Sequence, residues 1–162
     1  MSKCTYHISK HVQESCSGSI IDGGCNGGLA GDDVAVLEES TQLVDITGIS
    51  DSKIESVPIS TVAGLISTAE GPIIIIFHQF AAHRKGTTIN SFNQLYSFGL
   101  EVNDIPTSFP GSKQCIYTPD GHNILLAVRN GLCYMDMFSI PCDPFAAISK
   151  LFVLCDIPLD TP

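Results

Sequence analysis

Tryptophan is absent from this 162-residue chain, and charge is scarce, with 15% of residues Asp, Glu, Lys or Arg. Basic residues are the scarcest, with 8 Lys and Arg against 17 Asp and Glu, a formal net charge of −9. So few cations exclude the basic surface that nucleic acid or an anionic membrane selects, and neither is expected as a direct partner. Long hydrophobic runs are missing. The longest aliphatic run, Pro72 to Phe77, is far too short to span a bilayer. Met1-Ser2-Lys3-Cys4 lacks the apolar stretch of a secretory leader. Close cysteine pairs are missing as well. The seven cysteines are odd in number and scattered, so reduced thiols in a cytoplasmic setting are expected rather than a disulfide scaffold.

What is present is apolar. Hydrophobic residues make up 44% of the chain, enough for one globular core. Residues 1–18 read as a polar lead-in with a strand at Thr5–Ser9. Cys4, His7, His11 and Cys16 do not fall at a familiar zinc spacing, so no metal site is expected there. Ile20-Ile21 is a short strand. Asp33 to Glu39 reads equally as a capped helix or, over Val34–Leu37, as a strand. Leu43–Ile46 suggests a strand ending at Gly48. Lys53–Ile59 alternates apolar and polar. Thr61–Ser67 and Pro72–Phe80 flank a turn at 68–71, and Ile73–Phe77 reads as a strand buried on both faces. Residues 81–91 read as a loop, with His83-Arg84-Lys85 the one basic cluster. Ser91–Val102 reads as a short helix breaking at Gly99. Gln114–Thr118 and Asn123–Val128 flank Pro119-Asp120-Gly121-His122, a hairpin signal, and Cys133–Phe138 is a further strand. Beyond Pro141, Phe145–Cys155 is apolar and the last residues read as a tail. The expected organisation is a lead-in at 1–18, a β domain at 19–140 and a C-terminal extension at 141–162.

The stretch that reads as chemistry is Asp22-Gly23-Gly24-Cys25-Asn26-Gly27-Gly28-Leu29-Ala30-Gly31. Five of the nine residues after Asp22 are Gly. A carboxylate at the end of an apolar strand, followed by residues that turn sharply and admit close approach, is a way to present an acid. A simpler reading is a turn aspartate bonding its own backbone. A phosphate-binding loop fits poorly, because Gly-x-Gly-x-x-Gly and Gly-Lys-Ser/Thr are both missing and Asp22, Asp32 and Asp33 repel phosphate. A Cys25 nucleophile would need a histidine and an electropositive surround that nothing in the sequence supplies.

Asp22-Gly23-Gly24-Cys25-Asn26-Gly27 resembles the Asp-Ser/Thr-Gly-Ala loop of retropepsins, the aspartic proteases of retroviruses and retrotransposons. The resemblance extends through Leu29–Val34, Val44–Ile49, Gly71–Ile74, Val102–Asp104, Asp120–Ile124 and Arg129–Leu132. These are similar to a protease-like segment of copia-type polyproteins of diatoms and oomycetes, from roughly Tyr6 onward. The resemblance implies an all-β, retropepsin-like closed barrel or sandwich with at most one or two short helices. It implies peptide-bond hydrolysis in polyprotein processing, without metal or cofactor, on a polypeptide substrate. One Asp-Gly loop implies a homodimer, in which two copies of Asp22 share a proton and activate a water. Gly23, Gly24, Cys25 and Asn26 would support the loop. Leu126, Ala127, Arg129 and Asn130 would approximate the second signature strand, with Ala127 where Gly is expected and a residue inserted. The flap is not marked by a motif; Gly64 and Gly71 are its candidates. Gly23 stands where the family has a hydroxyl that bonds across the dimer. That departure keeps a second expectation open, an inactive or repurposed fragment acting as a structural or interaction domain.

Overall fold

A computed structural model describes residues 18–48, 50–68 and 70–140. The expected lead-in strand at Thr5–Ser9, the zinc-spacing residues of the lead-in and the apolar segment Phe145–Cys155 lie outside the described residues.

The described chain is mostly β. Its strands are β1 (Ser19–Asp22), β2 (Leu29–Ala30), β3 (Ala35–Thr47), β4 (Lys53–Thr68), β5 (Gly71–Ala82) and β6 (Ile89–Ser91). After a single short helix, α1 (Phe92–Ser97), come β7 (Glu101–Asn103), β8 (Cys115–Tyr117), β9 (Asn123–Arg129), β10 (Leu132–Met135) and β11 (Met137–Phe138). They join one eleven-stranded sheet in the order β11-β4-β5-β2-β6-β1-β10-β9-β8-β7, with β3 paired to β4. The expected closed barrel is not what forms. The sheet is open, because β7 at one end finds no partner among β3, β4 and β11 at the other. It still curls strongly. β10 and β11 are continuous chain with only Asp136 between them, yet β10 pairs β1 and β9 while β11 pairs β4 at Leu65 and Ile66.

The core lies inside that curl. Ile73, Ile75 and Phe77 of β5 pack with Val62 and Ile66 of β4 and Met137 of β11 beside them, and with Ile116, Ile124, Leu126 and Met135 from the other end of the sheet. Ile74 is also buried, so the isoleucine run is covered on both faces as its composition predicts. Phe77 and Phe80 are both 1% exposed with ring centroids 5.0 Å apart, although three residues of regular strand would send them to opposite faces. A β-bulge resolves this. Ser60 pairs Phe80 and Val62 pairs Phe77, so His78 and Gln79 together face Thr61. Gln79 takes φ 62° to make the bulge.

The segment from Asp33 to Glu39 forms no helix; it enters β3, whose residues 37–43 are exposed. β3 bonds only β4, and β4 reaches β5 only from Ile59 onward. The far half of the β3–β4 hairpin, Leu43–Thr47 against Lys53–Pro58, is therefore a free two-stranded ribbon. The expected helix ends as Gly99 dictates, with φ +82°, but it stops at Ser97 and Val102 sits in β7.

Candidate functional site

Asp22 ends β1 and is exposed, as are Gly23, Gly24 and Asn26, while Cys25 is half-buried. The Asp22 carboxylate accepts a 2.7 Å hydrogen bond from the Gly24 N–H, the local turn bond open to any aspartate here. The Cys25 thiol donates to the Asp22 carbonyl at 3.4 Å. None of the loop glycines takes a positive φ. Space explains them better at the far end. A Cβ on Gly28 would lie 2.4–2.6 Å from the Phe80 ring, whereas Gly23 and Gly27 face open space.

What holds this loop was not visible as a site residue in the sequence. β6 runs parallel to β1, with Asp22 opposite Ser91, and β6 leads directly into α1. Ser91 is fully buried and caps the helix, accepting from the Gln94 N–H at 3.3 Å and donating to the Cys25 carbonyl at 2.7 Å. Gln94 reaches back across the loop. Its Oε1 accepts from the Gly28 N–H at 2.5 Å, and its Nε2 donates to the His78 and Gln79 carbonyls at 3.2 Å each. These partners fix the amide orientation, since N–H needs oxygen and two carbonyls need the NH₂. Ser91-Phe92-Asn93-Gln94 has the Ser-x-x-Gln form of a capping box, which was the available sequence signal. Asn90, also fully buried, donates to the Ile20 carbonyl at 3.2 Å. A groove of about 400 Å³ runs beside the loop, lined by Asn26, Gly27, Gln79, Asn93, Gln94, Ser97 and Phe98.

Behind the loop, Thr88 is a hub. Its hydroxyl accepts from the Gly31 N–H at 2.9 Å and donates to Asp33 at 2.5 Å, its N–H donates to Asp33 at 3.0 Å, and its carbonyl accepts from Ile20 at 2.8 Å. Burial pushes the Asp33 carboxyl above its usual range against these bonds, and its Oδ2 is buried without a partner. Burial first and the Asp22 charge second push the Cys25 thiol up, the opposite of what a thiolate nucleophile requires. With β3 in place of a helix, no helix N-terminus follows the loop to hold phosphate.

The second-signature residues lie elsewhere. β10 separates β9 from β1, so Leu126, Ala127 and Arg129 are not next to Asp22 in the sheet. Leu126 is core. Arg129 pairs with Asp136 at 2.5 Å and lies over the Tyr134 ring at 5.4 Å. Asn130 and Gly131, at φ 50° and 79°, make the two-residue turn between β9 and β10, the chemistry that Asn-Gly supplies in hairpins. Of the flap candidates, Gly64 is buried with a Cβ position 2.3 Å from the Met137 sulfur, and Gly71 lies at the β4–β5 turn. His78 is half-buried with Nδ1 2.9 Å from the Thr61 hydroxyl, and Arg84 of the basic cluster pairs with Glu39.

The fold and site thus define a mostly-β domain that presents one carboxylate on a braced strand end. Comparison with models of known families, with characterised proteins and with solved structures returns no match. Among the described residues there is no cluster of three or more His, Cys, Asp or Glu suited to a metal ion, and no helix long and apolar enough to cross a membrane.

Proposed function

We propose that the chain is an aspartic endopeptidase-like domain that hydrolyses peptide bonds in polyprotein processing, with Asp22 as its catalytic residue and Asp22 of the partner subunit completing the site. The observation that carries this reading is the exposed Asp22 carboxylate at the end of a strand whose following loop is braced by Ser91 and Gln94. An exposed acid can meet its symmetry mate, and a buried one could not. In the reaction, one carboxylate takes a proton from water as its oxygen attacks the scissile carbonyl carbon. The other, protonated, donates to the carbonyl oxygen. The first carboxyl then passes the proton it took from water to the amide nitrogen, the C–N bond breaks to release the amine, and the second carboxylate recovers a hydroxyl proton as the new carbonyl forms. The Ser91 hydroxyl supplies, within one subunit, some of the stiffening that Gly23 cannot. Free thiols at Cys25, Cys115 and Cys133 suit a reducing cytoplasm.

The test is cleavage of a peptide library at acidic and neutral pH by the native chain and by Asp22→Asn, with a pepstatin-type inhibitor. Turnover that is inhibited and that disappears in Asp22→Asn supports the reading. Equal turnover by both chains removes Asp22 from the mechanism. A second reading, a repurposed domain that binds without cleaving, is favoured by Gly23, which has no hydroxyl to offer a partner. It gains if native chain dimerises yet cleaves nothing.

A further inference from the structure

We infer that Gln94 is the positioning residue of the Asp22 loop, its carboxamide setting where the loop lies against β5. This inference rests on the peptidase reading for its kinetic consequence only; the geometry stands apart from it.

In a capping box, the Ser hydroxyl takes the N–H three residues on, and the Gln side chain returns to the Ser N–H. Ser91 keeps its half of that exchange, at 3.3 Å from the Gln94 nitrogen. Gln94 does not return. It spans from the last glycine of the loop to the two carbonyls of the β5 bulge, at 2.5 Å and twice 3.2 Å. The bulge is the irregular point of β5, with Gln79 at φ 62°, and it is what turns Phe80 inward against Gly28. One carboxamide therefore joins the loop to the feature that shapes its floor. The chemistry calls for Gln specifically. A carboxylate could accept from Gly28 but would repel both carbonyls, and a hydrocarbon could do neither. With Ser91 holding the Cys25 carbonyl, the loop is fixed at its middle and its end, and β1 pairing fixes its start.

The experiment measures amide exchange protection residue by residue, with peptide cleavage alongside, in native chain, Gln94→Ala and Gln94→Glu. In Gln94→Ala the Gly28 amide should lose about tenfold in protection, while Ile75 and Phe77 keep theirs. The kcat should fall by on the order of tenfold to a hundredfold, with KM changed little. Gln94→Glu supplies the sharper readout. Protonated, Glu can accept from Gly28 and donate to one carbonyl; ionised, it cannot donate, and the His78 and Gln79 carbonyls repel it from the position in which it would accept from Gly28. Its Gly28 protection should approach native below about pH 4 and be lost by about pH 7. Asp22 and Cys25 in the loop, His78 on β5, Tyr96 on α1 and Glu101 on β7, which packs against α1, are the other titratable groups on the elements around it, and the native chain over the same pH range accounts for them. Unchanged Gly28 protection in both variants overturns the proposal. So does a loss shared equally by Ile75 and Phe77, which would make Gln94 a general stability residue. A native chain that cleaves nothing defeats the peptidase reading, while the exchange data still decide the anchor.

Discussion

Gly28→Ala offers a direct test of why the loop is rich in glycine. The added Cβ would sit 2.4, 2.5 and 2.6 Å from three carbons of the Phe80 ring. Carbon atoms prefer about 3.5–4.0 Å, so the overlap is about 1 Å. Phe80 cannot simply swing aside, because it is 1% exposed and packed on Phe77 at 5.0 Å. Overpacking of this kind costs about 1–3 kcal/mol. The same change at Gly23 or Gly27 meets nothing within 4 Å and no positive φ. There it should be neutral or stabilise by about 0.4–1 kcal/mol, through lower entropy of the unfolded chain. Urea unfolding reads both, with a shifted midpoint at constant slope marking a pure stability change. Adding Phe80→Leu to Gly28→Ala should cost less than Phe80→Leu alone, because the smaller side chain relieves the overlap. If Gly28→Ala is as harmless as Gly27→Ala, the close-approach argument is wrong and turn formation alone explains the glycines.

Three further outcomes are expected. Burial raises the Asp33 carboxyl above its usual value, so the folded state holds that proton more tightly than the unfolded chain does. This group's stabilisation is therefore full below the unfolded value and lost as pH rises through the folded one. The stability difference between native chain and Asp33→Asn should shift toward the native chain on acidification, and a flat difference from pH 7 to pH 4 would count against it. Cys25 should alkylate slowly at neutral pH, accelerating only above the ordinary thiol range, and fast labelling at pH 7 would contradict a raised thiol. Gly23→Ser fits open space, so it should fold normally and, under the peptidase reading, strengthen dimerisation; unchanged sedimentation would remove that interface role.

The parts of the fold that were legible carry their signal locally. The isoleucine run declared β5, Asp120-Gly121 marked the β8–β9 hairpin, and Gly99 marked the helix end, because each depends on neighbouring residues alone. β6 was missed for the opposite reason. Thr88 and Asn90 are polar yet fully buried, and they are tolerable there only because of bonds to Ile20, Gly31 and Asp33 far away in sequence. Asp22 stood out through its glycine surround. Gln94 did not, since a lone glutamine on a six-residue helix looks solvated until its distant partners are known. Arg129-Asn130 carries two signals at once: the resemblance ties it to a remote signature, and Asn130-Gly131 is also the local signal for the turn it forms between β9 and β10.

The arrangement around β1 also constrains how the chain can assemble. Its flanking strands are β6 and β10, so during synthesis one edge of Ile20 and Ile21 waits for Ile89 and Asn90 and the other until Cys133 and Tyr134 have emerged. Contacts between such distant residues form slowly, and an apolar strand left waiting invites pairing with other nascent copies. Production yield should therefore respond to translation speed and to holdase chaperones more than the final stability would suggest.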